Sequence, residues 1–172
     1  MPTVSPDDRV ANVHGLPLFH GLPLSDRAEI LSLARERRFA KNQTIFREGD
    51  PVEFIFLMVS GRVKITRSSR KYAGVILRIE ESGEAVGGFG LAPGSSHIGT
   101  AQTLERCHVL VWEASRFQTF CEQYPSLAVN LVWMVSERLR VLQERFRELV
   151  TEHVAPRLAL MLVRLLEQNG NG

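Results

Sequence analysis

The residues best placed to bind a ligand lie between 85 and 97, AVGGFGLAPGSSH, where four glycines and a proline break an otherwise strand-rich region. Glycine lets a backbone approach another group closely, and Ser95 and Ser96 add hydroxyls beside His97. A loop of this kind on a rigid scaffold suits ligand binding. Gly87, Gly88, Gly90, Ser95, Ser96 and His97 are therefore the effector-pocket candidates; a tight structural turn with no ligand is the alternative. Catalytic chemistry is not legible. The chain has no Ser-His-Asp arrangement, nucleophile elbow or phosphate-binding P-loop, and it is expected not to be an enzyme.

The metal-ligating types are sparse. Cys107 and Cys121 are the only cysteines, so a disulfide framework is not expected. Cys107 sits in an apolar strand and Cys121 in a helix, where both are expected to be core residues. The five histidines show no pair spacing typical of a metal site.

The elements around this loop can be read from pattern. In residues 49–65, GDPVEFIFLMVSGRVKI, a Gly-Asp-Pro turn precedes an apolar run from Phe54 to Val59, as in a strand buried on both faces. Ser60-Gly61 interrupts the run, and Val63 and Ile65 then alternate with Arg62, Lys64 and Thr66, predicting a second strand with one wet face. A glycine at the interruption lets two backbones cross closely or takes positive φ. Further strands are expected at 44–46, 72–79, 98–104 and 107–112, with turns at Ser68 to Lys71 and Glu81 to Glu84. Short β runs separated by turns predict a compact all-β roll.

Before the roll, residues 1–15 read as a loose polar arm, and Leu16 to Leu24 supply apolar anchors. Ser25 is the expected N-cap of a helix, with Asp26 and Glu29 in its first turn. Ile30, Leu31, Leu33 and Ala34 form its apolar face, which dissolves in Arg35 to Arg38. After the roll everything reads as helical. Ser115 is expected to cap a short helix ending near Tyr124, and Pro125 to open a long one reaching about Val150, roughly 37 Å at 1.5 Å per residue.

That long helix carries a heptad seam, Ala128, Val132, Val135, Leu139, Leu142, Phe146 and Leu149, with a second apolar row of Leu127, Leu131, Met134 and Val141 beside it. Two rows predict two partners, the roll and a second copy of the helix, so Val132, Val135, Leu139, Leu142, Phe146 and Leu149 are assigned to a homodimer interface. The other reading is one widened intramolecular face. Arg138, Arg140, Arg145 and Arg147 alternate with Glu137, Glu144 and Glu148 as a solvated exterior. A last helix is expected from Pro156 to about Gln168, with Leu158, Leu162, Leu165 and Leu166 on one face.

Composition sets the class. The chain of 172 residues holds 21 Lys+Arg against 19 Asp+Glu, so the total shows no basic excess for nucleic acid. No run of 18 apolar residues is present, and the N-terminus lacks a signal-peptide core. The expectation is a soluble cytoplasmic protein with no membrane partner.

Phe46-Arg47-Glu48-Gly49-Asp50-Pro51, Ser60-Gly61-Arg62-Val63, Ser82-Gly83-Glu84, the Gly87-to-Leu91 segment and the long helix from Pro125 resemble, in order and spacing, the cyclic-nucleotide-binding β-roll of the CRP/FNR superfamily of bacterial regulators. The resemblance covers nearly the whole chain. It implies a mixed β+α fold, a jelly-roll-like double-stranded β-helix followed by a dimerisation helix. It divides the chain into an arm at 1–17, a sensor roll at 18–124, the dimer helix at 125–152 and, at 153–172, the first helix of a truncated winged helix-turn-helix. DNA would be reached only through a domain missing from this chain.

The resemblance also bears on the effector. Nucleotide-binding members carry Gly-Glu at the start of the loop and Arg-Ser or Arg-Thr near its end. Here the glutamate position is Gly88 and the arginine position is His97, and no arginine lies between Arg78 and Arg106. Residues that contact the base in such members map near Leu142 and Gln143, which join the pocket candidates. A phosphodiester without its guanidinium partner loses a charge-assisted bidentate bond, so cyclic AMP is not the expected effector. An FNR-type iron–sulfur cluster is not expected either, because no cysteine precedes Cys107. Haem, which some members use for gas sensing, leaves His14, His20 and His97 as ligand candidates.

Small β-rolls also resemble cupins, whose metal enzymes need a His-x-His pair with a nearby Glu and a later His. The isolated His97 and His108 do not supply that site. The reading is thus the effector-sensing and dimerisation region of a CRP/FNR-like regulator with an unknown small-molecule effector. The alternatives are a stand-alone protein of the same fold acting through protein contacts and a haem-based gas sensor.

Overall fold

The computed structural model describes residues 15–68, 74–87, 94–151 and 163. Pro17–Phe19 form one 3-10 turn, followed by helix α1 (Leu24–Ser32). Eight strands follow: β1 (Arg35–Phe39), β2 (Thr44–Phe46), β3 (Phe54–Ser60), β4 (Val63–Arg67), β5 (Val75–Glu80), β6 (Ala85–Val86), β7 (Thr100–Thr103) and β8 (Cys107–Glu113). Helices α2 (Ala114–Gln123) and α3 (Pro125–Thr151) close the described chain. The strands make two four-stranded antiparallel sheets, β1-β8-β3-β6 and β2-β7-β4-β5. Non-sequential neighbours within both sheets make this the expected roll.

The core between the sheets includes Phe56, Met58, Val63, Ile65, Val109 and Val111, all buried. On the other face of the first sheet, Ile55, Leu57, Leu110 and Trp112 are buried as well, which is why β3 and β8 read as continuous apolar runs. Leu18, Phe19 and Leu22 are buried as expected of the anchors. The side-chain amide of Asn130, on α3, ties that anchor down by donating to the Leu18 and His20 carbonyl oxygens at 2.9 and 2.8 Å. Gly61 does both things asked of it: φ is +93°, and an added Cβ would lie 2.6 Å from the Arg106 carbonyl oxygen and 2.7 Å from Cys107 Sγ. Cys107 is buried, and Cys121 only half-buried.

Several expectations are corrected. Arg35 to Arg38 do not fray from a helix; they are β1, paired in register with Val111 to His108 of β8. An edge strand tolerates such charge because its side chains reach water. Ala85–Val86 form β6 against Leu57 and Phe56, inside what read as an irregular insert. Ser25 is not the cap: α1 starts at Leu24 after Pro23, and the Ser25 hydroxyl bonds Asp26 instead. Leu33 is exposed rather than part of the apolar face. Ser115 lies within α2, whose cap position is Glu113 with no side-chain bond.

The chain divides into two units after Leu131, within α3. In the first, Leu127 and Leu131 are buried; in the second, Val132, Val135, Leu139, Leu142, Phe146 and Leu149 are all exposed in the single chain. Two glutamates of the second unit engage the arginines one turn on: Arg140 donates to Glu137 and Arg147 to Glu144. The helix expected from Pro156 falls outside the described residues except for Val163, which is helical and exposed. No helix among the described residues is long and apolar enough to cross a membrane.

Candidate functional site

The expected pocket loop is anchored at its C-terminal end on the turn that follows β2. Residues 95–97 run antiparallel to 49–52: Val52 N–H donates to Ser95 O (3.0 Å), His97 N–H to Asp50 O (2.9 Å), and Gly49 N–H to His97 O (2.8 Å). This clamp fixes the His97 backbone and sends its ring inward. The ring lies flat on Phe46 of β2, centroids 3.5 Å apart and planes 8° from parallel. His97 is buried, and its Nδ1 has no hydrogen-bond partner. Burial holds the imidazole below its ordinary pKa of 6.5, against a weaker upward pull from the Asp50 carboxylate. The ring is therefore a neutral, desolvated group at neutral pH.

Gly87, just past β6, forms the neighbouring wall. Its φ is +83°, and an added Cβ would lie 2.5 Å from Phe46 Cζ and 3.1 Å from His97 Nδ1. Its N–H donates to the Glu80 carboxylate at 3.1 Å, and its carbonyl accepts from Arg78 Nη2 at 3.3 Å. Arg78 Nε in turn donates to Glu80 Oε1 at 2.6 Å. Glu80 is almost wholly buried and Arg78 partly so. The peptide at Gly87 is thus gripped on both sides by one ion pair from β5.

The sequence-predicted residues distribute unevenly. Gly87 and His97 come together. Ser95 and Ser96 serve the clamp through their backbones, Ser96 bridging to Pro51. Gly88, Gly90 and His14 fall outside the described residues. Leu142 and Gln143 lie in the second unit, and both are exposed. His20 is exposed in the turn after Pro17–Phe19, and His108 faces Glu36 at 3.2 Å. Phe46, Arg78 and Glu80 were not singled out as site residues. Arg78 and Glu80 do share one face of a strand by their two-residue spacing, a signal that a charged pair in an apolar run carries.

Among the described residues, no group of three or more His, Cys, Asp or Glu stands close enough to hold a metal ion. At His97, Nδ1 lies against Gly87, so an iron could not reach that nitrogen without displacing Gly87.

Residues 36–124, more than half of the chain, match the model of the cyclic nucleotide-binding domain. The chain belongs to that family. Its relatives there include CRP-like regulators, and shorter stretches of it also match fungal lysophospholipases. The chain is 27% identical over 154 residues to the cyclic AMP receptor protein of Thermus thermophilus, covering 90% of this chain and 71% of that protein. Among solved structures, it resembles the catabolite activator protein of Thermus thermophilus, with TM-score 0.69, 27% identity, and 88% and 71% of the two chains covered. It also resembles the N-terminal domain of a transcriptional regulator from Streptomyces coelicolor, with TM-score 0.61, 26% identity, and 77% and 95% covered. The roll and long helix of this cyclic nucleotide-binding domain chain are the sensor fold of those regulators.

Proposed function

We propose that this chain is the effector-sensing and dimerisation region of a CRP/FNR-like transcriptional regulator whose roll does not hold cyclic AMP through a guanidinium group. The observation that carries this reading is His97. At the position where nucleotide-binding members are expected to place arginine, a neutral imidazole is buried on Phe46 beside Gly87. A phosphodiester brought there would meet no cation from this residue, and its desolvation would go uncompensated. The nearby cation, Arg78, is engaged with Glu80 and the Gly87 carbonyl.

In this reading the site binds and does not catalyse. An effector acts by favouring one pairing of two long helices over another, and only its differential affinity for the two states shifts the balance. DNA-binding domains attached to the helices would carry that shift to an operator.

Calorimetric titration with cyclic AMP tests the effector half: no saturable heat is expected of the wild type, and tight saturable binding would overturn it. Sedimentation tests the other half, with a dimer expected and a monomer at all concentrations overturning it. An immunoblot of the native gene product then separates two roles. A product larger by about 50 residues or more supports the DNA-reading regulator, and one the size of this chain directs the search to protein partners.

A further inference from the structure

The sheet β1-β8-β3-β6 has a second face that the roll does not use. Cys107, Val109 and Val111 point into the core between the sheets, so His108, Leu110 and Trp112 point away from it. Over Leu110 and Trp112 this outer face is covered. Trp112 Nε1 donates to the Ile30 carbonyl of α1 at 2.8 Å, and its ring lies 5.7 Å from that of Phe117 on α2. At the His108 end the cover stops.

There the strand register gathers polar groups. Arg38 of β1 stands directly opposite His108, and Ser60 faces His108 from β3. With Arg106, one residue before β8, and with Phe39, Ala40 and Cys107, these residues line an open cleft of about 480 Å³. That size is within the range of small-molecule sites. Of the carboxylates on the neighbouring strands and turn, Glu36 lies against His108 at 3.2 Å, and Glu105 pairs with Arg62 at 3.1 Å. Among the described residues, the Arg38 and Arg106 side chains have no hydrogen-bond or ion-pair partner. Two guanidinium groups without a direct partner on one concave surface can each turn their donors to an anion bound in the cleft. Each offers the planar fork that matches two oxygens of one oxyanion.

We infer that this cleft binds a small dianion, a phosphate monoester or a dicarboxylate, through the Arg38 and Arg106 guanidinium groups, with the Ser60 hydroxyl as a further donor. The site lies at the His108 end of the sheet and does not depend on the reading of His97. It would give the chain a second ligand input.

The test is an NMR titration of the full chain with inorganic phosphate and, separately, malonate, with chloride at matched ionic strength as reference. Saturable shifts are expected at the amides of residues 38 and 106–108, weakening as salt screens the site. Arg38→Gln and Arg106→Gln should each weaken binding about tenfold. Arg106→Lys, which keeps the charge and loses the fork, should fall between. Arg116→Gln, on exposed α2 surface, should bind like wild type. The anion that binds more tightly identifies the phosphate or carboxylate class. Shifts that chloride reproduces, that never saturate, or that persist unchanged in an Arg38→Gln/Arg106→Gln double variant overturn the inference.

Discussion

His97 and Phe46 lie face to face at 3.5 Å, and the stack is closed by Gly87, whose missing side chain is what lets the two rings reach the β6 end. A methyl group at 87 would have to sit 2.5 Å from Phe46 Cζ while the backbone keeps φ at +83°. Both costs act at once, since positive φ strains any L side chain and a ring packed in the core cannot swing away. Gly87→Ala should lower stability by about 2–4 kcal/mol. Urea denaturation measures this, and a loss below about 0.5 kcal/mol would show that the stack yields easily.

The same burial makes His97 a source of pH dependence. Its pKa is lowered in the folded state by desolvation, whereas the unfolded chain titrates near 6.5. Between those two values the unfolded state binds a proton that the folded state refuses, so stability rises with pH across that window. The wild type should therefore be fully supported by this residue above about 6.5 and lose that support as pH falls below it. His97→Phe keeps a ring on Phe46 and removes the titration. The difference in denaturation free energy between the two proteins should slope with pH below 6.5 and flatten above it; a flat difference throughout is the contrary result.

How much of this was legible in sequence follows from what each feature depends on. β3 and β4 were readable because apolar runs and alternation are local, and Gly61 because a crossover needs a residue without Cβ. β1 was not: Arg35-Glu36-Arg37-Arg38 carries four charges, and only pairing with β8 along the sheet edge makes a strand of it. The position of His97 could be marked but not its state. Its stack exists because residues 95–97 return to pair with 49–52, a contact across more than forty residues that no periodicity encodes. Glu80 was hidden for the same reason, since its partner Gly87 meets it only after the turn at Ser82-Gly83.

Glu80 supplies its own test. Its carboxylate is buried between Arg78 Nε at 2.6 Å and Gly87 N–H at 3.1 Å. Removing one partner of such a pair leaves the other desolvated and unbalanced. Glu80→Ala should cost about 3 kcal/mol, the low end for a buried pair because Arg78 still reaches solvent. Glu80→Gln, which keeps an acceptor for Gly87, should cost less. A double-mutant cycle with Arg78→Ala isolates the pair, and additive losses would mean the two side chains act separately.

On α3, burial and pattern part company. Leu127 and Leu131 are buried, whereas Val132, Val135, Leu139, Leu142, Phe146 and Leu149 are between 47% and 67% exposed in the single chain. Their spacing alternates four and three, the period at which one helix face meets a second helix as knobs in holes. Six large apolar side chains in a row are costly to leave in water, each contributing about 1.5–3 kcal/mol when fully covered. A second copy of the helix would cover them with their own kind. The chain should sediment as a dimer, and Leu139→Asp, which places a charge at the centre of the seam, should sediment as a monomer with its roll still folded by circular dichroism. Arg140→Ala, which removes only the exposed pair with Glu137, should leave the dimer intact. Unchanged sedimentation of Leu139→Asp would remove the seam from the interface and leave the row as one wide face of a single chain.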